Sequence, residues 1–257
     1  MSEDSSSLDA RRLPWGIFAA IIMVILGFKV MPYVASFLII IPAQLIGADA
    51  IKVDEWLINS PLARFIYVFL TSALTAAALY WFISYKKVSL RRAIGLDKPR
   101  WAYLLHTILG FVAYFMLFIV ILSVLRIFVP IDLDQDQALP FEKGTSGSGL
   151  VLAFIGLVII PPIIEESVFR GFAYGALRSS RINAVVSSLV VGATFAYLHL
   201  NGGAGGSTIW IAFVDTFILS LVLCYVREKT GSIWACIGIH ALKNGFVFVN
   251  LFLLGTA

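Results

Sequence analysis

The sequence predicts an all-α membrane protein, a polytopic bundle of about seven transmembrane helices. Hydrophobic residues make up 60% of the chain and charged residues 13%, about half the charged share of soluble domains. The mean hydropathy is +0.94, and the apolar residues lie in runs of roughly 20 residues or more, the length that crosses a bilayer as a helix. The net charge of +4 comes from basic residues that flank these runs, so the expected partner is the lipid bilayer and not nucleic acid.

Seven apolar runs define the predicted spans, and the chain divides around them into three parts. Residues 1–13 form a polar tail that is expected to be disordered. Residues 14–147 hold three spans with their loops, and residues 148–257 hold a core of four helices. The predicted spans cover residues 15–46, 62–85, 101–129, 148–177, 182–200, 208–226 and 232–254.

Some of these elements carry local signals of their own. Lys29 and Pro32 lie inside the first span, which predicts a kink or a tilt there. The acidic segment 47–61 is expected to be a loop. The basic segment 86–100 is expected to include a short helix at the membrane interface.

The distribution of basic residues predicts the orientation. With seven spans and a cytoplasmic N-terminus, the inside segments carry twelve Lys and Arg residues, whereas the outside loops carry only Lys52 and Lys143. Positive charge is enriched on the cytoplasmic side of membrane proteins. The chain is therefore predicted to be an integral protein of a bacterial or archaeal plasma membrane, with a cytoplasmic N-terminal tail.

Polar residues inside the last four spans are the candidate functional residues. Each charge at the centre of a membrane helix costs roughly 2.5–3.5 kcal/mol, so such residues are retained for pairing or for function. The set comprises Glu165, Glu166, Arg170, His199, Asp215, His240, Lys243 and Asn244.

Helical spacing separates the two carboxylates of the fourth span. Glu166 and Arg170 are four residues apart and can form an ion pair on one face. Glu165 lies about 100° around the helix from Glu166, which leaves its carboxylate free for chemistry. Pro161 and Pro162 have no N–H, so they free carbonyl groups one turn earlier, and irregular backbone at this depth is tolerated beside a wet cavity. A water-filled pocket next to Glu165 is therefore expected.

The remaining polar residues suit hydrolysis. His240 and Asn244 share one face of the last span, and His199 follows Phe195 by four residues on the fifth. A partly desolvated carboxylate can act as a general base, a histidine can share the activated water, and a second histidine and an amide can donate to an oxyanion. The alternative is a catalytic zinc ion held by Glu165, His199 and His240, although the HExxH spacing is absent from the sequence.

Other residues are expected to have structural roles. Asp215 and Lys243 are expected to pair across the sixth and seventh spans, with a transport path as the alternative. His106 is expected to bond a neighbouring helix. Cys224 and Cys236 lie in apolar segments and are expected to be buried free thiols rather than a disulfide or a metal pair.

Three short motifs stand in order on separate spans. They are EESVFR at residues 165–170, FAYLH at 195–199 and HALKN at 240–244. This succession of EExxxR, FxxxH and HxxxN resembles the CPBP family, the CAAX proteases and bacteriocin-processing enzymes that are also called Abi proteins. The resemblance covers residues 148–254.

The resemblance implies a role for each motif residue. Glu165 and His199 would activate the hydrolytic water, whereas His240 and Asn244 would form the oxyanion site. The Glu166–Arg170 pair would hold supporting positions. Members of the family are often called metalloproteases, so the resemblance leaves open both a glutamate-type enzyme and a zinc-dependent one.

The predicted function is intramembrane proteolysis. The enzyme would hydrolyse a peptide bond in a membrane-associated protein or peptide that is hydrophobic or lipidated near its C-terminal end. A non-proteolytic membrane scaffold or a bacteriocin-immunity protein is the alternative, because the resemblance extends to such proteins. A proton-coupled transporter with Glu165, Glu166 and Asp215 as its relay is the third interpretation.

Overall fold

The computed structural model describes residues 13–129, 140–200 and 208–255. All regular elements in these ranges are helices. They are α1 (Ile17–Leu45), α2 (Ala50–Asn59), α3 (Pro61–Tyr85), α4 (Leu90–Ile94), α5 (Trp101–Phe128), α6 (Ser148–Ser179), α7 (Ala184–Leu200), α8 (Trp210–Thr230) and α9 (Trp234–Leu253).

The helix lengths confirm a polytopic membrane bundle. Within the described ranges, α1, α3, α5, α6, α8 and α9 are each long and apolar enough to cross a membrane. The helix α7 is apolar but has only 17 residues, because it begins at Ala184 rather than at the predicted residue 182. The fifth predicted span, residues 182–200, is therefore a shorter apolar helix than the other spans.

The segment predicted to be a loop at residues 47–61 contains the helix α2. Asp49 accepts a hydrogen bond from the Ile51 N–H at 3.0 Å and so caps the start of this helix. Ser60 ends α2 and caps α3 through the Ala63 N–H. The prediction of a loop was wrong, because two N-caps eleven residues apart frame a short helix that has no long apolar run. The short helix predicted in the basic segment is present as α4, and its position at the membrane interface remains a prediction.

The helix α1 is irregular where its sequence predicted a disturbance. A π-helical turn covers Leu26–Val30 and contains Lys29. Pro32 follows within the next turn, and its ring provides no N–H to the carbonyl four residues earlier. The disturbance predicted around Lys29 and Pro32 is therefore present as a π-helical turn.

The helix α6 lies at the centre of the bundle and contacts α1, α3, α4, α7, α8 and α9. Every residue from 166 to 178 is buried. Two π-helical turns widen this helix, one at Ile155–Ile159 just before the two prolines and one at Ser167–Ala173 just after the two glutamates. Because so many elements surround it, the orientation of its side chains is fixed from several directions.

The far end of α6 is anchored by an ion pair to α8. Arg178 Nη2 lies 2.9 Å from Glu228 Oε1, and the arginine Nε lies 3.1 Å from the other carboxylate oxygen. The Tyr174 hydroxyl donates to Glu228 at 2.8 Å. The predicted fourth span ends at residue 177, one residue before Arg178, whereas the structure places Arg178 inside the helix and buries it.

The helices α5 and α9 approach closely through two glycines. A Cβ on Gly238 would lie 2.6 Å from Thr107 Oγ1, and a Cβ on Gly110 would lie 2.4 Å from Ile239 Cδ1. Distances this short do not occur between real atoms of these types. Each glycine therefore accommodates a β-branched side chain of the other helix.

A polar cluster fastens the loop after α4 to the start of α9. Asp97 accepts hydrogen bonds from Ser232 Oγ and Tyr103 Oη, both at 2.5 Å. The indole Nε1 of Trp234 donates to the Asp97 carbonyl oxygen at 2.6 Å. These hydrogen bonds, with Arg100 nearby, keep the pKa of Asp97 below its ordinary value, although burial alone would raise it.

Two further predictions concern the N-terminal tail and the two cysteines. The predicted disordered tail lies outside them, except for Leu13, whose N–H donates to Ser179 Oγ at 2.6 Å and so fixes the entry into α1. Cys224 and Cys236 are buried free thiols, as expected.

Candidate active site

The first and third motifs meet in the bundle interior. Arg170 Nη1 lies 3.0 Å from Glu166 Oε1, and both side chains are 0% exposed. His240 Nδ1 lies 2.8 Å from the same carboxylate oxygen. The ion pair predicted from the spacing is confirmed, and it also binds a histidine of α9.

Glu165 is placed differently from its neighbour. Its side chain is 16% exposed, and its Oε2 is buried without a hydrogen-bond partner among the described residues. His240 Nε2 lies 3.9 Å from this oxygen. The imidazole of His240 therefore lies between two glutamates, bound to Glu166 and facing Glu165.

His199 is oriented by its own helix. Its Nδ1 lies 2.8 Å from the carbonyl oxygen of Phe195. A carbonyl oxygen only accepts hydrogen bonds, so Nδ1 carries the hydrogen and Nε2 of the neutral ring is an acceptor. This leaves the reactive nitrogen of His199 available to a water molecule.

The ring of Phe195 explains why the second motif begins with an aromatic residue. It packs edge-on against His199, with ring centroids 4.7 Å apart, and against His240 at 5.9 Å. The guanidinium carbon of Arg170 lies 4.5 Å from its centroid, within the range of a cation–π contact. One aromatic ring therefore positions both histidines and the buried arginine.

Asn244 compensates for a proline of α6. Pro161 has no N–H, so the carbonyl of Leu157, four residues earlier, loses its helical donor. The Asn244 Nδ2 donates to that carbonyl oxygen at 3.0 Å. The carbonyl that the sequence predicted to be freed by a proline is thus satisfied by a motif residue.

The motif side chains line a cavity of about 250 Å³, here termed the front cavity. Its polar residues are Glu165, His199, Thr216, His240, Lys243 and Asn244. Its apolar residues include Leu157, Leu219, Val247, Phe248, Leu251 and Phe252. The volume is large enough for several water molecules or for part of a peptide chain. The pocket predicted beside Glu165 is therefore present.

Lys243, which lines this cavity, belongs to a second ion pair. Lys243 Nζ lies 2.9 Å from Asp215 Oδ2, and the Tyr114 hydroxyl donates to the other carboxylate oxygen. The pairing that the sequence predicted across α8 and α9 is confirmed. Because each charge has its partner, this pair is tolerated at membrane depth.

The structure brings all four predicted catalytic residues, Glu165, His199, His240 and Asn244, to one cavity.

The fit of a metal ion is a separate question. In the described part of the chain, no group of three or more His, Cys, Asp and Glu side chains is arranged to hold one. As placed, the residues do not fit the ligand set of a catalytic zinc ion.

Sequence reasoning missed a group of hydroxyl residues and misplaced one histidine. Four hydroxyl side chains on one face of α3 lie near Glu165, and their spacing at i, i+4, i+5 and i+8 in an apolar span was the available signal. They are Tyr67, Thr71, Ser72 and Thr75. His106 lies away from the site and bonds the carbonyl of Ala102 in its own helix at 2.7 Å, so the expected bond to a neighbouring helix was wrong.

Comparison with known proteins agrees with the three motifs. Residues 147–246 match the family described as type II CAAX prenyl endopeptidase Rce1-like. YyaK, an uncharacterized protein of Bacillus subtilis (strain 168), is 30% identical over 139 residues. That similarity covers 54% of this chain, and the chain spans 45% of the length of this relative. No solved structure matches the chain. The matched region contains the motif residues of α6, α7 and α9, and it supports the similarity of this part of the chain to the CPBP family of CAAX proteases.

Proposed function

We propose that the protein is an intramembrane endopeptidase of the glutamate type. The observation that carries this proposal is the contrast between the two adjacent carboxylates. Glu166 is committed to Arg170 and His240, whereas Glu165 has an unpartnered buried oxygen in a cavity that also holds His199. A carboxylate in that position is suited to accept a proton from a bound water.

In the first step, a water molecule bound by Glu165 and His199 is the nucleophile. The Nε2 of His199 accepts a hydrogen bond from this water, because its Nδ1–H is donated to Phe195. Glu165 takes the other proton as the water oxygen bonds to the carbonyl carbon of the scissile peptide. The electron pair of the carbonyl moves to its oxygen and forms an oxyanion.

The oxyanion is stabilised from α9. An amide has two N–H groups, and Asn244 donates one of them to Leu157, which leaves the second for the oxyanion. His240 donates through Nε2–H when its ring is an imidazolium, because its Nδ1–H is bound to Glu166. Donors that are already oriented need no rearrangement when the charge develops.

The second step breaks the peptide bond. The tetrahedral intermediate collapses, the C–N bond breaks, and the departing amine takes the proton held by Glu165. The products are a carboxylic acid and an amine, and the site returns to its starting protonation. No metal ion enters either step.

The lining of the front cavity favours an apolar substrate. Leucine and phenylalanine side chains of α9 and the π-helical end of that helix surround the polar centre. A peptide segment must be desolvated to enter such a site, which favours hydrophobic residues on either side of the scissile bond. We propose that the substrate is a membrane-associated peptide, hydrophobic or lipidated near its C-terminal end.

The proposal is tested with purified protein in liposomes and internally quenched peptides. The peptides carry an apolar C-terminal segment, with or without a prenylated cysteine. Cleavage is expected for the wild type and is expected to disappear in the Glu165→Gln and His199→Ala variants. The Glu55→Gln variant, which changes an exposed carboxylate of α2, is the control and should cleave normally. Wild-type rates in the Glu165→Gln variant would refute the proposed role of Glu165, whereas no cleavage by the wild type would favour a non-proteolytic scaffold.

A further inference from the structure

A second cavity lies against Glu165 on the opposite side of α6. It has a volume of about 240 Å³ and is bounded by the irregular turn of α1 and by the middle of α3. We term it the rear cavity, and its lining includes Phe28, Pro32, Tyr67, Thr71, Ser72 and Glu165. Glu165 and Pro161 line both cavities, so α6 forms the wall between them at this point.

The rear cavity is lined by two buried polar atoms to which the described residues supply no hydrogen bond of good geometry. The Thr71 hydroxyl oxygen is buried beside Tyr67 and has no well-formed hydrogen bond to the described residues. The Glu165 Oε2 is also buried without such a hydrogen bond. Buried polar atoms in native proteins are satisfied by protein or by ordered water. A cavity that offers two such atoms and further hydroxyl groups matches the sites that hold buried water.

The backbone of α1 leads to the same conclusion. The π-helical turn Leu26–Val30 contributes Gly27 and Phe28 to the rear cavity, and Pro32 supplies no N–H one turn later. Irregular backbone at membrane depth is tolerated where it is buried in protein or lines a water-filled cavity. The π-helical turn of α1 and the hydroxyl side chains of α3 therefore line the same cavity, and Glu165 of α6 lines it as well.

The position of Glu165 gives this cavity a use that rests on the proposed proteolysis. A peptide in the front cavity displaces water from the side of His199, yet each turnover consumes one water molecule. We propose that the rear cavity is a hydrated site from which Glu165 receives the hydrolytic water. The volume exceeds by roughly tenfold what a single water requires, so several molecules can be held there.

Hydration of the rear cavity is tested by cysteine reactivity in liposomes. The Thr71→Cys variant is treated with a charged methanethiosulfonate reagent, which reacts with thiolates and therefore only with cysteines that water reaches. The Ala73→Cys variant is the matched control, because Ala73 is on the same helix but exposed on its outer face. The wild type supplies the baseline, because Cys224 and Cys236 are buried. Ser72→Cys provides a second position in the cavity if the first variant does not fold.

The two outcomes of the labelling are distinct. The Thr71→Cys or Ser72→Cys variant is expected to react at least about tenfold faster than Ala73→Cys, because a thiolate forms only where water can hydrate it. Equal rates at all three positions would overturn the inference. This measurement does not depend on proteolysis, so a failure of the proposed function leaves it interpretable.

The delivery of water is tested by kinetics. Thr71→Val replaces the hydroxyl by a methyl group of the same shape and is expected to lower kcat about tenfold while KM stays unchanged. Thr71→Ser keeps the hydroxyl and is expected to restore kcat. A wild-type kcat in the Thr71→Val variant would show that the hydroxyl only fills space and would overturn the role in water delivery.

Discussion

Asn244 donates its side-chain amide to the carbonyl oxygen of Leu157 at 3.0 Å, across the contact between α9 and α6. The carbonyl needs this donor because Pro161 cannot supply one. The third motif is thereby fastened to the turn that precedes the two glutamates. A residue implied to stabilise the oxyanion also determines where Glu165 lies.

Removal of this amide is expected to destabilise the fold. Asn244→Leu leaves the Leu157 carbonyl unsatisfied at membrane depth, and a loss of about 1–3 kcal/mol is expected. Thermal unfolding of the purified protein measures it. Asn250→Leu is the control, because Asn250 donates to the Phe246 carbonyl, which also accepts from the Val249 N–H. Equal losses in the two variants would contradict this explanation.

Substitutions of the two adjacent glutamates are expected to differ in their effect: a change at Glu166 lowers stability, whereas a change at Glu165 lowers activity. Glu166→Gln removes the charge that balances Arg170, whose side chain is 0% exposed, and a loss of about 3–5 kcal/mol is expected. Glu165→Gln is expected to leave the unfolding midpoint near that of the wild type. The double variant Glu166→Gln with Arg170→Met removes both charges and should be more stable than Glu166→Gln alone. A double variant that is less stable than either single variant would argue against uncompensated charge as the cause.

The contact between α5 and α9 is expected to be sensitive to a single methyl group. In Gly238→Ala the added carbon meets Thr107, a buried β-branched residue that cannot move aside, and a loss of about 1–3 kcal/mol is expected. Gly245→Ala is the matched control on the same helix, because its nearest neighbour would be 3.6 Å away. The unfolding midpoints of both variants are compared, and Thr107→Ala is expected to rescue Gly238→Ala. A midpoint that does not recover would contradict the steric explanation.

The polar cluster around Asp97 is expected to make stability depend on pH. The pKa of Asp97 is lower in the folded protein than its ordinary value of 3.8, so the ionised carboxylate favours the folded state. This contribution is complete above pH 3.8 and is lost as the pH falls through the lowered value. The unfolding midpoint of wild type should therefore exceed that of Asp97→Asn at neutral pH, and the gap should narrow in acid. A gap that widens as the pH falls would show the opposite sign.

Much of the fold could be predicted because spans are set by the length and apolarity of single segments. The helix α2 could not, since it depends on the caps at Asp49 and Ser60 rather than on a long apolar run. The start of α7 was also missed, because Asn183 accepts a hydrogen bond from the Val186 N–H and so caps a helix that begins at Ala184. The packing of Gly238 on Thr107 required the crossing of two helices to be known.

Within the candidate site, helical spacing could predict only the relationships between residues of the same helix. Spacing alone paired Glu166 with Arg170 and left Glu165 free, and the structure agrees. Spacing could not show that His240 binds Glu166, because that contact joins residues of different helices. The catalytic roles remain predictions that the experiments above address.

The π-helical turn at Ser167–Ala173 determines which changes of length α6 can accept. Such a turn holds about one residue more than an α-helical turn, and one residue rotates all that follows by about 100°. Glu165 precedes the turn, whereas Arg178, which binds Glu228, follows it. Deletion of one residue from this turn would rotate Arg178 relative to Glu165 by about 100°. The helix could then place Glu165 in the cavity or Arg178 against Glu228, but not both. Single-codon deletions in this segment are therefore expected to be more damaging than substitutions that conserve side-chain volume and charge.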